Sequence, residues 1–405
     1  MKGKGIMFND TISEAGYQKV DEAARTLAMT KSETGRESDA IDVALGLFND
    51  VGVGKVYVDR QGSAVLEIDG DGDGPTLLID GHIDSIPLHS ATAWNHDPFG
   101  GDVDGGRLYG LGICDQKASI AAMAVAASEI FKRGVQTRGR LVLVASPAEE
   151  QMEGAVLTEI VERYSPTYAI TTEPSDAKLI RSQRGRAKIQ LTIEGRASHA
   201  GHATRGINAA LFAADIISAL GSSFPKKYDN DLEFDINCID IVSDPYPSVS
   251  TIPGAALVRF DARFGSNQTK DSVLKAISSV AETVTTQRCG QAPRFNVSFV
   301  PAHIETWNGF ITDIDEFAPA WDTPKHSTLV QEAKEALRKV SLPEDDGFYS
   351  FCTNGSYLAG EMKIPTIGFG AGEEHIAHQV DEYITFDSLH RTTLGLAAIV
   401  TQLLS

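Results

Sequence analysis

Apolar residues recur at helical spacing over residues 14–29 and 39–48, so the chain is expected to open with two amphipathic helices. Short apolar runs at 55–59 and 64–68 then read as strands. The polar turn DGDGDGP follows, and after it the strand-like run TLLI at 76–79. Downstream come an Ala-rich helix, KASIAAMAVAASEIF, at 117–131, a strand at 139–145, a helix at 155–164 and a strand at 168–171. Strands alternating with helices predict a mainly parallel sheet covered by helices. In such sheets, polar groups with a task collect at the carboxyl ends of the strands.

Near Arg184 the pattern changes. Residues 187–193 alternate apolar and polar, 207–220 read as a helix, 235–241 and 255–264 as strands, 270–287 as a helix and 294–300 as a last strand. The order β-α-β-β-α-β is the ferredoxin-like arrangement. A helix at 327–340, a strand at 366–369 and a helix at 389–404 return to the first pattern. The expected fold class is therefore α/β. A mainly parallel-sheet domain is built from residues 1–183 and 301–405, and an α+β domain is inserted at 184–300.

A chain of 405 residues has room for two or three domains. Its apolar and charged fractions, 42% and 22%, are those of ordinary globular proteins. A net charge of −19 argues against nucleic acid and anionic membrane as partners, while leaving a small molecule open. No run of about 18 apolar residues predicts a membrane span. The start, MKGKGIMFNDTISEAGY, has no apolar h-region, so a secretory signal is not expected. Cys114, Cys238, Cys289 and Cys352 are far apart and form no CxxC pair, which suggests a reduced, cytoplasmic protein. In the acidic turn, Asp69, Asp71, Asp73 and Gly74 fit the opening of a calcium loop. The twelfth position would be Asp80, inside the apolar strand, so a Gly-rich hairpin turn is the preferred reading.

The stretch LLIDGHIDSIP ends an apolar strand with His82 and Asp84 on one face. The pair is either a hydrogen-bonded turn or a metal ligand with the carboxylate that orients it. Asp115, Glu149, Glu150 and Glu173 also fall at or after strand ends, and His378 comes late in the chain. Two histidines with several carboxylates and no cysteine suit zinc or another first-row divalent ion. These are too many carboxylates for one tetrahedral site; two ions sharing a bridging carboxylate would use them all.

The segments GHIDSIP, GLGICDQKAS, PAEEQMEG, TTEP and AHQVDE, in that order, resemble the motifs of the co-catalytic zinc aminoacylase and carboxypeptidase family. That family of metallopeptidases includes acetylornithine deacetylase, succinyl-diaminopimelate desuccinylase and glutamate carboxypeptidases. DQKAS, RGRAKI, TNG and GFGAGEEHIAH are most similar to a bacterial branch whose substrates are poorly defined. The resemblance implies that the first domain is a zinc-hydrolase catalytic domain and the insert a lid and dimerisation domain. It implies two zinc ions per subunit, with cobalt or manganese as substitutes. Asp115 would bridge them, His378 and Glu150 would complete one site, and His82 and Glu173 the other. Asp84 would hold the His82 ring and Glu149 would be the general base toward a metal-bridging water. A cis peptide is implied at Asp115-Gln116.

GRASHAGHATRGINA resembles the family's lid motif, with Ala203 where the motif has proline. The resemblance places His199 where an imidazole reaches the site of a neighbouring subunit, which implies a homodimer. Arg205, Asn208 and Arg263 are candidate anchors for a substrate carboxylate. Asn354 and Gly355 are candidate contacts near it, with a plain turn as the alternative. His375, three residues before His378, reads as a polar loop residue more readily than as a ligand. The expected activity is hydrolysis of an amide in an N-acyl amino acid or short peptide carrying a free carboxylate. The alternatives are a dipeptidase or carboxypeptidase, or a metal-stabilised binding protein without catalysis.

Overall fold

The computed structural model describes residues 11–224, 234–287 and 292–405. The first ten residues and Cys289, both considered above, lie outside the described residues. The chain divides into two compact units. One comprises Met1–Gln183, His303–Thr312 and Asp322–Ser405; the other comprises Arg184–Ala302 and Asp313–Trp321.

In the first unit, side-chain alternation sends successive residues of each strand into two different cores. Along Arg140–Ser146, Leu141, Leu143 and Ala145 enter one core while Val142 and Val144 enter the other. Leu77 and Ile79 part from Leu78 in the same way on Thr76–His82. A strand buried on both faces has no polar side to show, which is why these runs look continuously apolar. Helices Glu14–Ala28, Ala118–Lys132, Thr328–Lys339 and Phe386–Leu404 supply the first core. Thr158–Tyr164 covers the second with Ile160 and Val161. Each fully buried aliphatic side chain contributes roughly 1.5–3 kcal/mol.

The sheet runs from Lys55–Val58 through Ala64–Ile68, Arg140–Ser146, Thr76–His82, Tyr168–Thr171 and Thr366–Gly368 to Leu179–Gln183. Its middle is parallel. Arg140–Ser146 and Tyr168–Thr171 flank Thr76–His82 in the same direction, and Thr366–Gly368 continues the run. The register sets His82 beside Ser146 and Asp80 beside Thr171. The carboxyl ends of these strands therefore release the His82, Glu149 and Glu173 segments at one edge.

The hairpin expected at DGDGDGP is not formed. Ala64–Ile68 and Thr76–His82 lie on opposite sides of Arg140–Ser146, so the turn joins strands that are not neighbours. It lies instead on the backbone leading into Arg140–Ser146: Asp71 N–H donates to Thr137 O at 2.7 Å and Gly74 N–H to Arg138 O at 3.2 Å. A Cβ at Gly70 would sit 2.3 Å from Gly139 O, so close backbone approach explains that glycine. The Asp69 carboxylate pairs with Arg140 at 2.6 Å.

The second unit has an antiparallel sheet in the order Phe234–Asp244, Ala255–Phe264, Gly185–Glu194, Arg294–Phe299. Alternate residues of Gly185–Glu194 and Ala255–Phe264 are buried against helices Ala209–Ser223 and Lys270–Gln287. The chain crosses between units more often than the sequence pattern anticipates. Phe317 and Ala318 pair with Ala187 and Arg186, and the Phe317 ring stacks on Phe264 at 5.3 Å. Two short strands that periodicity did not reveal, Leu179–Gln183 and Asp346–Tyr349, pair in parallel at the far side of the first unit's sheet.

Candidate metal centre and hydrolase site

His82 closes its strand fully buried, and both ring nitrogens are engaged. Nε2 lies 3.0 Å from Asp115 Oδ1, and Nδ1 lies 3.3 Å from Asp84 Oδ1 and 3.1 Å from the Asp84 carbonyl. Asp84 is equally buried and does more than orient the ring. It accepts the Glu149 N–H on Oδ1 and the Glu150 N–H on Oδ2, each at 3.1 Å, and the Thr34 hydroxyl on Oδ2 at 2.8 Å. One carboxylate thus fixes an imidazole and the turn that carries two more acids.

Those acids diverge. Glu150 Oε1 meets His378 Nε2 at 2.8 Å. Glu149 turns toward His82, with Oε2 at 3.9 Å from Nε2; Glu173 Oε2 lies at the same 3.9 Å. Asp115 stands between the two halves: Oδ1 faces His82, and Oδ2 faces His378 Nε2 at 3.3 Å. Its peptide bond to Gln116 is cis, as the resemblance implies. His378 is held in the left-handed region, with φ 61°, a conformation uncommon outside glycine.

The electrostatics mark an excess of acid. Burial pushes Glu149 and Glu173 well above the usual carboxylate range, and raises Glu150 as well. Burial would raise Asp115 too, but hydrogen bonds from His378 and His82 hold it below its ordinary value. Hydrogen bonds to Asp115 and Glu150 lift His378 to about 11. Glu149 Oε1 is buried with no hydrogen-bond partner among the described residues. Buried acids in such number, two imidazoles aimed at opposite oxygens of one aspartate and no thiol donor fit a pair of divalent cations, whose charge relieves the repulsion. Two overlapping donor groups, His82–Glu149–Glu173 and His82–Asp115–Glu150, are close enough to hold ions.

Residues 78–402 match the model of peptidase family M20/M25/M40. The chain belongs to this family. As an M20 protein it is a metal-dependent hydrolase. It is 29% identical over 316 residues to succinyl-diaminopimelate desuccinylase of Rhodopseudomonas palustris strain BisB5, covering 72% of this chain and 79% of the relative. Its fold is that of aminopeptidase PepT from Bacillus cereus ATCC 10987, with a TM-score of 0.75 at 20% identity, over 97% and 99% of the two chains. It is also that of the Bacillus subtilis YxeP protein, a dinuclear metal binding peptidase from the M20 family. There the TM-score is 0.72 at 16% identity, over 97% and 99%.

Outside this cluster the M20 chain uses several expected contacts for its own architecture. Asn354 is buried; Nδ2 donates to Asp80 Oδ2 at 2.7 Å and Ser146 Oγ at 3.1 Å, while Oδ1 accepts the Gly154 N–H at 2.6 Å. The Gly355 N–H donates to Thr353 Oγ1 at 2.9 Å. Asn354 and Gly355, expected as contacts near a substrate carboxylate, here use these polar groups to brace the sheet's end. Asn208 caps helix Ala209–Ser223, its Oδ1 accepting the Leu211 N–H at 3.0 Å. Arg263 forks onto Asp261, with Nε–Oδ1 at 2.7 Å. Arg205 is exposed in the short helix Ala200–Arg205. His199 is exposed, and its Nδ1 accepts the Gly201 N–H at 3.0 Å. His375 is exposed and pairs with Glu373 at 3.6 Å.

Sequence reasoning missed the supports. Glu37 is buried beneath the acidic turn and accepts the Ala148 N–H at 3.2 Å, and burial together with Asp84 lifts its pKa to about 7. Tyr349 donates its hydroxyl to Glu173 O at 3.0 Å. Glu37 looked like an ordinary residue before a helix; a charge beside the apolar stripe of Ser38–Asn49 was the only signal. Glu382 closes the AHQVDE segment four residues after His378, but nothing in the sequence assigned it a task.

Proposed function

We propose that this chain hydrolyses the amide bond of an N-acyl amino acid, with Glu149 as general base. The observation that carries the proposal is the partnerless buried Oε1 of Glu149 beside an Asp115 shared by two histidines. Zinc is the cation the donor set suits best. His82, Asp115 and Glu173 would hold one ion, and His378, Asp115 and Glu150 the other. When bound, the pair supplies Lewis acidity and lowers the pKa of water toward neutrality.

The chain's own groups do the rest. Asp84 keeps His82 and the Glu149–Glu150 turn in register. Glu149 takes a proton from the attacking water as the C–O bond forms, and returns it to the nitrogen as the C–N bond breaks. His199, with Nδ1 already an acceptor, has only Nε2–H to offer as donor to the developing oxyanion, in a partner subunit's site. Arg205 and Arg263 are the proposed anchors for a free carboxylate, Arg263 by exchanging Asp261 for substrate.

A homodimer is part of the proposal. Strand Phe234–Asp244 is an edge of its sheet and exposes Ile239, Ile241 and Val242, as does Leu211 on the adjoining helix. No disulfide joins Cys114, Cys238 and Cys352, which supports a reducing, cytoplasmic setting. An N-acyl substrate is preferred over a peptide because the relative with the higher identity is a desuccinylase, whereas the peptidases are alike in fold alone. The test is a parallel assay of zinc-loaded protein on N-acetyl, N-succinyl and N-carbamoyl amino acids and on dipeptides. Turnover confined to dipeptides contradicts the N-acyl assignment.

A further inference from the structure

Glu382 is buried, and no step of the proposed reaction uses it. Its carboxylate accepts three backbone amides of one loop: Oε2 takes Gly112 N–H at 2.9 Å, and Oε1 takes Cys114 N–H at 2.7 Å and Asp115 N–H at 3.2 Å. That loop precedes helix Ala118–Lys132, so these amides have no place in the helix ladder and need an acceptor from elsewhere. Here the acceptor comes from the far end of the chain, from the segment that carries His378. Glu382 is itself held firmly. Its carbonyl accepts the Gly110 N–H at 3.0 Å, and Tyr383 and Ile384 pair with Tyr109 and Leu108. The next residue back, Asp381, accepts the Asn95 N–H at 2.7 Å and the His96 N–H at 3.1 Å, pinning the other side of the same segment. The buried Lys117 ammonium at the end of the same loop donates to Thr30 O at 3.0 Å.

We propose that Glu382 is a positioning residue that locks the Asp115 loop to the His378 segment, so that the two Asp115 oxygens are presented to His82 and His378 before any ion arrives. This rests on the metal-centre reading above. The substitution Glu382→Gln keeps the side-chain volume but presents one acceptor oxygen and an amino group to three N–H donors, so at least one amide would face another donor.

The test is a titration of metal-free full-length chain with Zn2+ alone, in competition with a chelator, for wild type and Glu382→Gln. It is combined with hydrogen exchange at individual amides. Outer partners of metal ligands change affinity by about 10–100-fold, and that loss is expected for Glu382→Gln. The amides of Gly112, Cys114 and Asp115 should be protected in the wild type and exchange faster in the variant, while those of helix Phe386–Leu404 are unchanged. A folded variant that binds Zn2+ as the wild type does overturns the proposal. Should the variant not fold, wild-type exchange decides: rapid exchange at those three amides overturns it. A wild type that takes up no Zn2+ overturns the metal-centre reading as well, whereas absence of turnover on any amide bears on the proposed reaction alone.

Discussion

At the scale of single residues, the centre works by unequal treatment of chemically similar groups. Glu149 and Glu150 are adjacent, yet one faces His82 and the other His378, because Asp84 seizes both of their amides and turns the backbone between them. Glu149→Gln should retain metal and lose about 10²–10⁴-fold in kcat, read by elemental analysis beside steady-state kinetics. Asp84→Asn should weaken metal binding by about 10–100-fold, because an amide cannot accept from both turn N–H groups and the Thr34 hydroxyl as a carboxylate does. Glu37 gives a prediction about pH. Its pKa in the folded chain, about 7, lies above the ordinary 4.5, because burial first and Asp84 second disfavour the anion. Its contribution to stability is complete below the unfolded value and is lost as pH rises through the folded one. Metal-free protein should therefore melt lower at pH 8 than at pH 5, and Glu37→Gln should reduce that drop. Equal drops in both proteins would remove Glu37 as its source. Residue types were legible where chemistry restricts them: His82, Asp115 and His378 stood out as polar groups beside apolar strands or in spaced motifs. The bracing by Asn354 was not legible, because an amide in a TNGS turn gives no sign that Asp80 will take its hydrogens.

Secondary-structure elements place those residues through register. A one-residue slip between Thr76–His82 and Arg140–Ser146 would turn His82 to the opposite face, and burial on both faces of the sheet opposes such slippage. The same tightness leaves no room at Gly370, where a Cβ would lie 2.0 Å from Thr172 O and 2.4 Å from Glu173 O. Gly370→Ala should cost about 1–3 kcal/mol or more and displace Glu173, measured as a fall in both chemical stability and metal affinity. Asn208→Ala should cost about 1 kcal/mol as a lost helix cap and leave KM little changed; a large KM effect without destabilisation would mark it as a substrate contact. Long elements with clear periodicity were readable from the chain. The turn at Asp69–Gly74 was not, because a hairpin and a crossover differ only in which strand lies between, and that is decided by Arg140–Ser146, far later in the sequence.

For the whole molecule, the sequence indicated an insertion near Arg184 but not the return of Asp313–Trp321 to it, since Phe317 and Ala318 are too short a run to register as a strand. None of the described helices is long and apolar enough to cross a membrane. The exposed edge of Phe234–Asp244 carries the dimer proposal. Ile241→Lys should shift the mass in solution from dimer toward monomer at micromolar concentration, with activity falling in parallel if His199 serves a partner. A monomeric wild type with full turnover would remove that role. Beneath all of this lies the claim that Asp115 is shared between two cations, one held with His82 and one with His378. The most direct measurement is an anomalous difference map at the zinc absorption edge from crystals grown with Zn2+. Two peaks are predicted, on either side of the Asp115 carboxylate, one against His82 and Glu173 and the other against His378 and Glu150. No peak, or a single peak that leaves one histidine without an ion, would contradict it.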